Sequence, residues 1–106
     1  MALITLKEFK GVKAIKLESF SGKVSTFKNL YTNKLIDFVS VQDSISIIKK
    51  RFTIKGLHFQ SKPHEQSKLI SVINGSIQDY IVDLRRESST FLDYGTINLT
   101  SENNLA

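Results

Sequence analysis

The side chain best suited to proton transfer is His58, in the stretch Gly-Leu-His-Phe-Gln at residues 56–60. Its ring has an unperturbed pKa of about 6.5, so a histidine is able to act as a general base near neutral pH. If Leu57 and Phe59 face one side of an extended chain, His58 faces the other. An ordinary histidine of the core or the surface is the alternative, and the residue type alone leaves both open.

Two further side chains extend this chemistry. Asp83 interrupts the apolar run Ile-Val-Asp-Leu-Arg, and a carboxylate is costly to bury without a partner. Asp83 therefore either faces water or pairs with a group such as a histidine or an arginine. Paired with His58, it would fix the imidazole tautomer and favour the protonated ring. Lys68, if aimed into a pocket, would stabilise negative charge on an oxygen; otherwise it is a surface lysine.

Other kinds of site have weaker support. His58, His64 and Glu65 invite a metal interpretation, but their spacing suits neither one strand face nor one helical turn, and we expect no metal. The absence of cysteine excludes disulfides and thiolate chemistry. Glycine-rich phosphate loops and nucleophile elbows are also missing. We expect no cofactor.

The net charge of +5 suits an anionic partner, but the lysines are scattered along the chain. They are not interleaved with an aromatic platform, so nucleic-acid binding is not expected. No apolar run approaches the roughly 20 residues that span a bilayer, and the first residues do not resemble a signal peptide. We expect a cytoplasmic protein without a membrane partner.

The elements that would position these residues are short strands. Frequent Val, Ile, Phe, Tyr and Thr, with one proline, favour β structure. Asn74-Gly75 suits a two-residue hairpin turn between Lys68–Ile73 and Ser76–Arg85. A polar loop is expected at Ser61–Ser67. The other predicted strands are Val12–Glu18, Thr26–Tyr31, Phe38–Ile48, Phe52–Gln60 and Phe91–Leu99.

These strands predict an all-β fold, an antiparallel sandwich or small barrel. A chain of 106 residues is expected to form one domain, residues 1–106, with a short lead-in before the first strand. Residues 100–106 are polar and are expected to fray.

Several spaced motifs resemble the dTDP-4-dehydrorhamnose 3,5-epimerases, nucleotide-sugar epimerases of the cupin or jelly-roll type. The resemblance covers nearly the whole chain. The motifs that carry it are Gly56-Leu57-His58-Phe59-Gln60, Pro63, Gln66-Ser67-Lys68-Leu69, Gly75, Val82-Asp83-Leu84-Arg85 and Ser88-Ser89-Thr90-Phe91.

The resemblance implies a function and roles for the residues. It implies an isomerase that acts on a 4-keto-6-deoxy nucleotide sugar, in deoxysugar or cell-surface polysaccharide biosynthesis. By this resemblance His58 is the base that removes the proton next to the 4-keto group, Asp83 holds His58, and Lys68 stabilises the enolate. The substrate-binding residues that it implies are Gln42, Lys55, Phe27, Gln60 and Asn29.

The chain also departs from the family pattern. Lys55 stands where the family usually has arginine, Val24 where it has a phosphate-contacting arginine, and Asn29 where it has glutamate. Lysine keeps the charge of arginine but loses its bidentate fork. The family continues for a second run of strands, which carry the tyrosine implied as the opposing acid.

An incomplete jelly roll exposes sheet edges, which tend to pair with another chain. The resemblance therefore implies an incomplete sandwich that is completed in a homodimer. The alternative to an epimerase is a non-catalytic, cupin-like module for sugar-nucleotide binding or assembly.

Overall fold

The computed structural model describes residues 9–106; the first eight residues of the lead-in expected at residues 1–11 lie outside the described part. The described residues contain antiparallel strands and no helix, which confirms the predicted all-β class. The chain separates into two compact units. The first comprises Met1–Tyr31 and Leu69–Ala106, and the second is Thr32–Lys68.

A short hairpin opens the described part of the first unit. Strand β1 (Ser19–Ser21) pairs antiparallel with β2 (Thr26–Lys28), and Phe20 lies opposite Phe27. Gly22 N–H donates to the Ser25 carbonyl at 2.8 Å and closes the turn. The strand predicted at 26–31 is therefore confirmed over its first three residues.

A longer pair of strands forms the second sheet of this unit. Strand β3 (Ser76–Val82) pairs antiparallel with β4 (Tyr94–Thr100) over seven residues, from Ser76 opposite Thr100 to Val82 opposite Tyr94. Alternate residues of β3 are more buried, as expected for a strand with one covered face. The two strands predicted at Ser76–Arg85 and Phe91–Leu99 are thus confirmed as β3 and β4, with shifted ends.

The hairpin predicted at Asn74-Gly75 is wrong. Gly75 does adopt a positive φ of 91°, but residues 68–73 form no strand, and β3 pairs with β4 instead. Ser101 N–H donates to the Gly75 carbonyl at 3.0 Å, which continues the β3–β4 pairing by one residue. The turn signal is local: it favours the positive φ of Gly75 but does not make residues 68–73 a pairing partner for β3.

The second unit, residues 32–68, contains no assigned strand, so the strands predicted at Phe38–Ile48 and Phe52–Gln60 are wrong for this structure. The alternating apolar side chains are present but exposed, with Val41 96% and Ile47 81% exposed. A strand requires a neighbour for its ladder of hydrogen bonds, and a repeating pattern in one segment does not supply one. The loop expected at Ser61–Ser67 contains a turn, closed by His64 N–H and the Ser61 carbonyl at 2.9 Å.

The expected fraying of residues 100–106 stays a prediction; in the structure these residues form several hydrogen bonds. Ile15 and Ala106 exchange two backbone hydrogen bonds of 2.8 and 2.9 Å, and Lys16 forms an isolated bridge with Leu105. Asn103 Oδ1 accepts from the Thr100 and Leu105 N–H groups, which folds these polar residues into a turn. This bridge is what remains of the strand predicted at Val12–Glu18.

The buried apolar residues of the described part are few. Phe9, Leu17 and Leu99 are 2–5% exposed, and Leu99 is the largest side chain that is fully enclosed. Leu99 lies on β4 opposite Ile77, so it anchors the inner face of the β3–β4 sheet.

We predict that Leu99→Ala lowers the free energy of unfolding by about 2–5 kcal/mol, because it leaves a cavity in a small core. Leu84→Ala is the matched control: Leu84 is 46% exposed, and the loss there should stay below about 1 kcal/mol. Urea unfolding measures both. Equal losses for the two variants would contradict this description of the core.

Candidate functional site

Asp83 directly follows β3 and is held in place by its backbone. Its N–H donates to the Asp93 carbonyl at 3.0 Å, and its own carbonyl accepts from Leu92 N–H at 2.7 Å. The residue is 5% exposed, so its carboxylate is removed from water.

Five hydrogen bonds reach the Asp83 carboxylate from three residues. Oδ1 accepts from Arg85 N–H at 3.0 Å and from Arg85 Nε at 2.9 Å. Oδ2 accepts from Arg85 Nη2 at 3.0 Å and from the hydroxyls of Ser88 and Thr90, each at 2.6 Å. A carboxylate has about four lone-pair positions, so its accepting capacity is filled.

These contacts set the charge state of the group. The hydrogen bonds from the Arg85 side chain, helped by Ser88 and Thr90, hold the pKa of the Asp83 carboxyl well below its usual range, although burial acts in the opposite direction. The same pairing raises the pKa of Arg85. Asp83 is therefore an ionised carboxylate in a charge-assisted network.

Arg85 connects this network to the start of the described chain. Its Nη1 donates to the Lys10 carbonyl at 2.9 Å, while Nε and Nη2 grip Asp83. The planar guanidinium makes both contacts at once, which a lysine would not. We call Asp83, Arg85, Ser88 and Thr90 the Asp83 cluster.

His58 lies in the second unit and is exposed. Gly56 adopts a φ of 98°, and a Cβ added there would lie 3.1 Å from His58 Nδ1 and 3.3 Å from His58 N. Glycine is therefore required at position 56 both for the backbone conformation and for the space that the ring occupies.

The other candidate residues of the second unit are exposed as well. Lys55 Nζ donates to Ser46 Oγ at 2.7 Å, and Gln42 Nε2 donates to Ser44 Oγ at 3.2 Å. All four residues, including Gln60 and Lys68, are exposed.

Two candidates lie on the hairpin of the first unit. Phe27, on β2, is 63% exposed and faces the similarly exposed Phe20 on β1. Asn29 follows β2, and its Nδ2 donates to Glu18 Oε2 at 3.1 Å.

The predicted residues thus divide between the units: Phe27, Asn29 and Asp83 in the first, and the remaining five in the second. The pairing of His58 with Asp83 stays a prediction. For Asp83 the sequence left histidine and arginine open as partners, and the structure shows arginine. Ser88 and Thr90 were not predicted as partners; their spacing after Asp83, in a polar turn that follows a strand, was the available signal.

The first unit also contains a small cavity of about 260 Å³. Leu17, Leu30 and Leu105 are among its apolar walls, and Lys28 and Asn104 are among its polar ones. None of the predicted site residues is among the described residues that line it. It is therefore separate from the Asp83 cluster.

Among residues 9–106, no three side chains of the His, Asp and Glu type are grouped so that they could bind a metal ion. Over the same residues there is no helix with the length and apolarity to cross a bilayer.

The sequence profile of the dTDP-4-dehydrorhamnose 3,5-epimerases matches residues 2–106, which is nearly the whole chain. The chain belongs to this family. Two of its motifs, Val82-Asp83-Leu84-Arg85 and Ser88-Ser89-Thr90-Phe91, supply the four members of the Asp83 cluster. Motifs that are separate in the sequence are thus one hydrogen-bonded unit in the fold.

Curated relatives from this epimerase family agree with the profile. The chain is 36% identical to the dTDP-4-dehydrorhamnose 3,5-epimerase of Shigella flexneri over 97 residues, 92% of this chain and 50% of the relative. It is 42% identical to that of Methanothermobacter thermautotrophicus over 69 residues, 64% of this chain and 35% of the relative. The chain spans about half the length of the curated relatives it matches.

A solved structure supports the cupin-like fold of the epimerase family. The crystal structure of dTDP-4-dehydrorhamnose 3,5-epimerase from Bacillus anthracis, with TDP and PPi bound, superposes with a TM-score of 0.82 at 35% identity. The match covers 87% of this chain and 55% of that one. The strands described here thus correspond to an incomplete antiparallel sandwich.

We predict that Asp83→Asn destabilises the protein by about 2–4 kcal/mol at pH 7, because it removes the charge that Arg85 pairs with in a buried site. Since folding lowers the pKa of Asp83, its stabilisation is present at neutral pH and is lost as the pH falls below about 4. The difference between wild type and variant should therefore shrink in acid.

Urea unfolding at pH 7 and near pH 3 measures this difference. Asp37→Asn is the matched control, because Asp37 is exposed and should contribute little at either pH. A stability difference for Asp83→Asn that does not change with pH would contradict the assignment of an ionised carboxylate.

Proposed function

We propose that this chain acts as an epimerase on a 4-keto-6-deoxy nucleotide sugar, as the names of its relatives imply. The observation that carries the proposal is the family match over residues 2–106. The bound TDP of the Bacillus anthracis structure supports a nucleotide-linked substrate. We further propose that this reaction serves deoxysugar and cell-surface polysaccharide biosynthesis.

The proposed chemistry begins at the carbon next to the ketone. His58 takes the proton, and the electron pair of the broken C–H bond moves into an enolate whose oxygen carries the negative charge. Lys68 stabilises that oxygen, and such stabilisation of developing charge is often the largest catalytic term. Return of a proton to the opposite face of the carbon completes the inversion and requires a second acid.

Binding of the nucleotide portion is assigned to the remaining candidates. Lys55, Gln42 and Gln60 have exposed polar heads, and Phe27 presents an exposed ring on which a base could stack. Asn29 offers an amide near the same hairpin. A pyrophosphate would be held by lysine charge rather than by a bidentate arginine at position 55.

Asp83 is proposed as the carboxylate that orients His58. Because its oxygens already accept five hydrogen bonds, this role requires that His58 replace one of the present donors, such as the Ser88 or Thr90 hydroxyl. A loss of activity in Asp83→Asn, measured under conditions in which the variant is fully folded, would support this role.

A non-catalytic module for sugar-nucleotide binding is the second candidate. Val24, Asn29 and Lys55, at positions where the family has other residues, favour it. The two candidates differ in one observable: the module binds the nucleotide sugar without exchanging its protons.

We predict that His58→Ala abolishes the exchange of solvent deuterium into a TDP-linked 4-keto-6-deoxy sugar, because no other group is proposed as the base. Proton NMR of the sugar in D₂O measures the exchange. His64→Ala is the matched control, since His64 lies on the exposed loop and should leave the rate unchanged.

Inversion is followed in the same samples from the coupling constants of the sugar ring. Exchange without inversion would identify a one-sided proton transfer that lacks the second acid. Exchange that persists at the wild-type rate in His58→Ala would remove His58 as the base, and binding without any exchange would favour the module.

We also propose that the protein is a homodimer, assembled through the β1–β2 hairpin, and cytoplasmic. Phe20 and Phe27 are 60% and 63% exposed on a sheet of two strands. Such a hairpin is marginally stable alone, and an exposed aromatic pair marks an association surface. A second copy would cover the Phe20 ring and pair with the open strand edge.

We predict that Phe20→Lys shifts the protein from dimer to monomer in sedimentation equilibrium at micromolar concentration, because it places a charge in the proposed interface. Phe52→Lys is the matched control: Phe52 is 87% exposed on the second unit and should leave the dimer intact. A wild-type monomer, or a dimer that Phe20→Lys does not affect, would contradict this interface.

A further inference from the structure

Asp79 is a second carboxylate on the face of β3 that also carries Ile77 and Ile81. Side chains alternate along the strand, so Gln78 and Tyr80 lie on the exposed face, while Asp79 is half-buried on the other, less exposed face. Across the sheet its direct partner is Ile97 of β4. Asp79 therefore sits at the centre of an apolar platform formed by Ile77, Ile81 and Ile97.

The carboxylate has little to compensate for its loss of water. Its stabilising contact is a hydrogen bond from the backbone N–H of Tyr80, and among residues 9–106 no lysine or arginine pairs with it. Burial accordingly raises the pKa of Asp79, against the effect of that hydrogen bond. Asp83, four residues further along the chain, has all its accepting positions filled.

The contrast between these two carboxylates suggests a role for Asp79. A structural carboxylate is satisfied by the fold, as Asp83 is. Asp79 keeps open accepting positions within an apolar surface, and a few polar groups set in apolar walls are typical of small-molecule sites. Its neighbouring backbone is already satisfied, because Thr96 Oγ1 donates to the Asp79 carbonyl at 2.9 Å. The side chain alone is left for a ligand.

We propose that Asp79 binds a hydroxyl group of the substrate's sugar ring while the isoleucines of the platform contact the sugar's methyl group. The inference rests on the proposed function, since a 6-deoxy sugar presents an apolar methyl beside hydroxyl donors. A hydroxyl that donates to a carboxylate forms a short, charge-assisted hydrogen bond. Asp79 is thus a residue that determines specificity for the sugar and has no part in the proton transfer.

The test compares the binding of TDP with that of a TDP-linked 4-keto-6-deoxy sugar by calorimetry, using the 106-residue chain. Asp79→Asn should weaken binding of the sugar nucleotide about tenfold or more and leave TDP binding unchanged. Glu87→Gln is the matched control, because it removes one exposed carboxylate of the same unit and should change neither affinity.

The melting temperature is a second measurement, and it distinguishes a ligand-binding Asp79 from a structural one. Removal of an uncompensated, half-buried charge should leave the melting temperature of Asp79→Asn unchanged or raised, whereas a structural carboxylate would lower it. If Asp79→Asn does not fold, Asp79→Glu keeps the charge but displaces it by one methylene, and should also weaken the sugar nucleotide selectively.

The outcomes separate the two proposals. Wild-type binding of the sugar nucleotide that Asp79→Asn and Asp79→Glu leave unchanged would overturn the role of Asp79 and leave the proposed function standing. An equal loss for TDP and for the sugar nucleotide would also overturn it. A wild-type chain that binds neither ligand would remove the proposed function and the sugar contact together.

Discussion

The first unit depends on the compensation of one buried charge. An isolated carboxylate at the position of Asp83 would be strongly unfavourable, and Arg85, Ser88 and Thr90 provide the donors that make it tolerable. These donors come from the turn that follows β3, so that turn must fold correctly for the charge to be satisfied. The electrostatic requirement of a single group thereby determines the path of the chain between β3 and β4.

The same arrangement has a consequence for chemistry. A carboxylate whose accepting positions are filled accepts from a new partner only when a present donor leaves, whereas one with open positions is available to a ligand. Asp79 within β3 and Asp83 directly after it represent these two conditions. The residue type is the same, so the difference arises from position: the turn after β3 offers donors to Asp83 and not to Asp79.

Part of this was predictable from the sequence. Alternation over Ser76–Val82 and Tyr94–Thr100 identified β3 and β4, and the cost of burial indicated that Asp83 needed a partner. The pairing of β3 with β4 was not predictable from local signals, because Asn74-Gly75 indicates a turn conformation and does not identify the segment with which β3 pairs. Nor did the alternation of residues 38–48 produce a strand, since a ladder requires a second segment. In the polar tail, the side chains of Asn103 and Thr100 accept hydrogen bonds from each other's backbone N–H, in a turn that composition does not reveal.

The glycine beside the candidate base has an implication for the design of variants. A methyl group at position 56 would press against Nδ1, the ring nitrogen nearest the backbone, and would shield it from any acceptor. Glycine leaves that nitrogen reachable. Mutational libraries that aim to change the chemistry of this ring should therefore hold residue 56 constant and vary the ring's other neighbours.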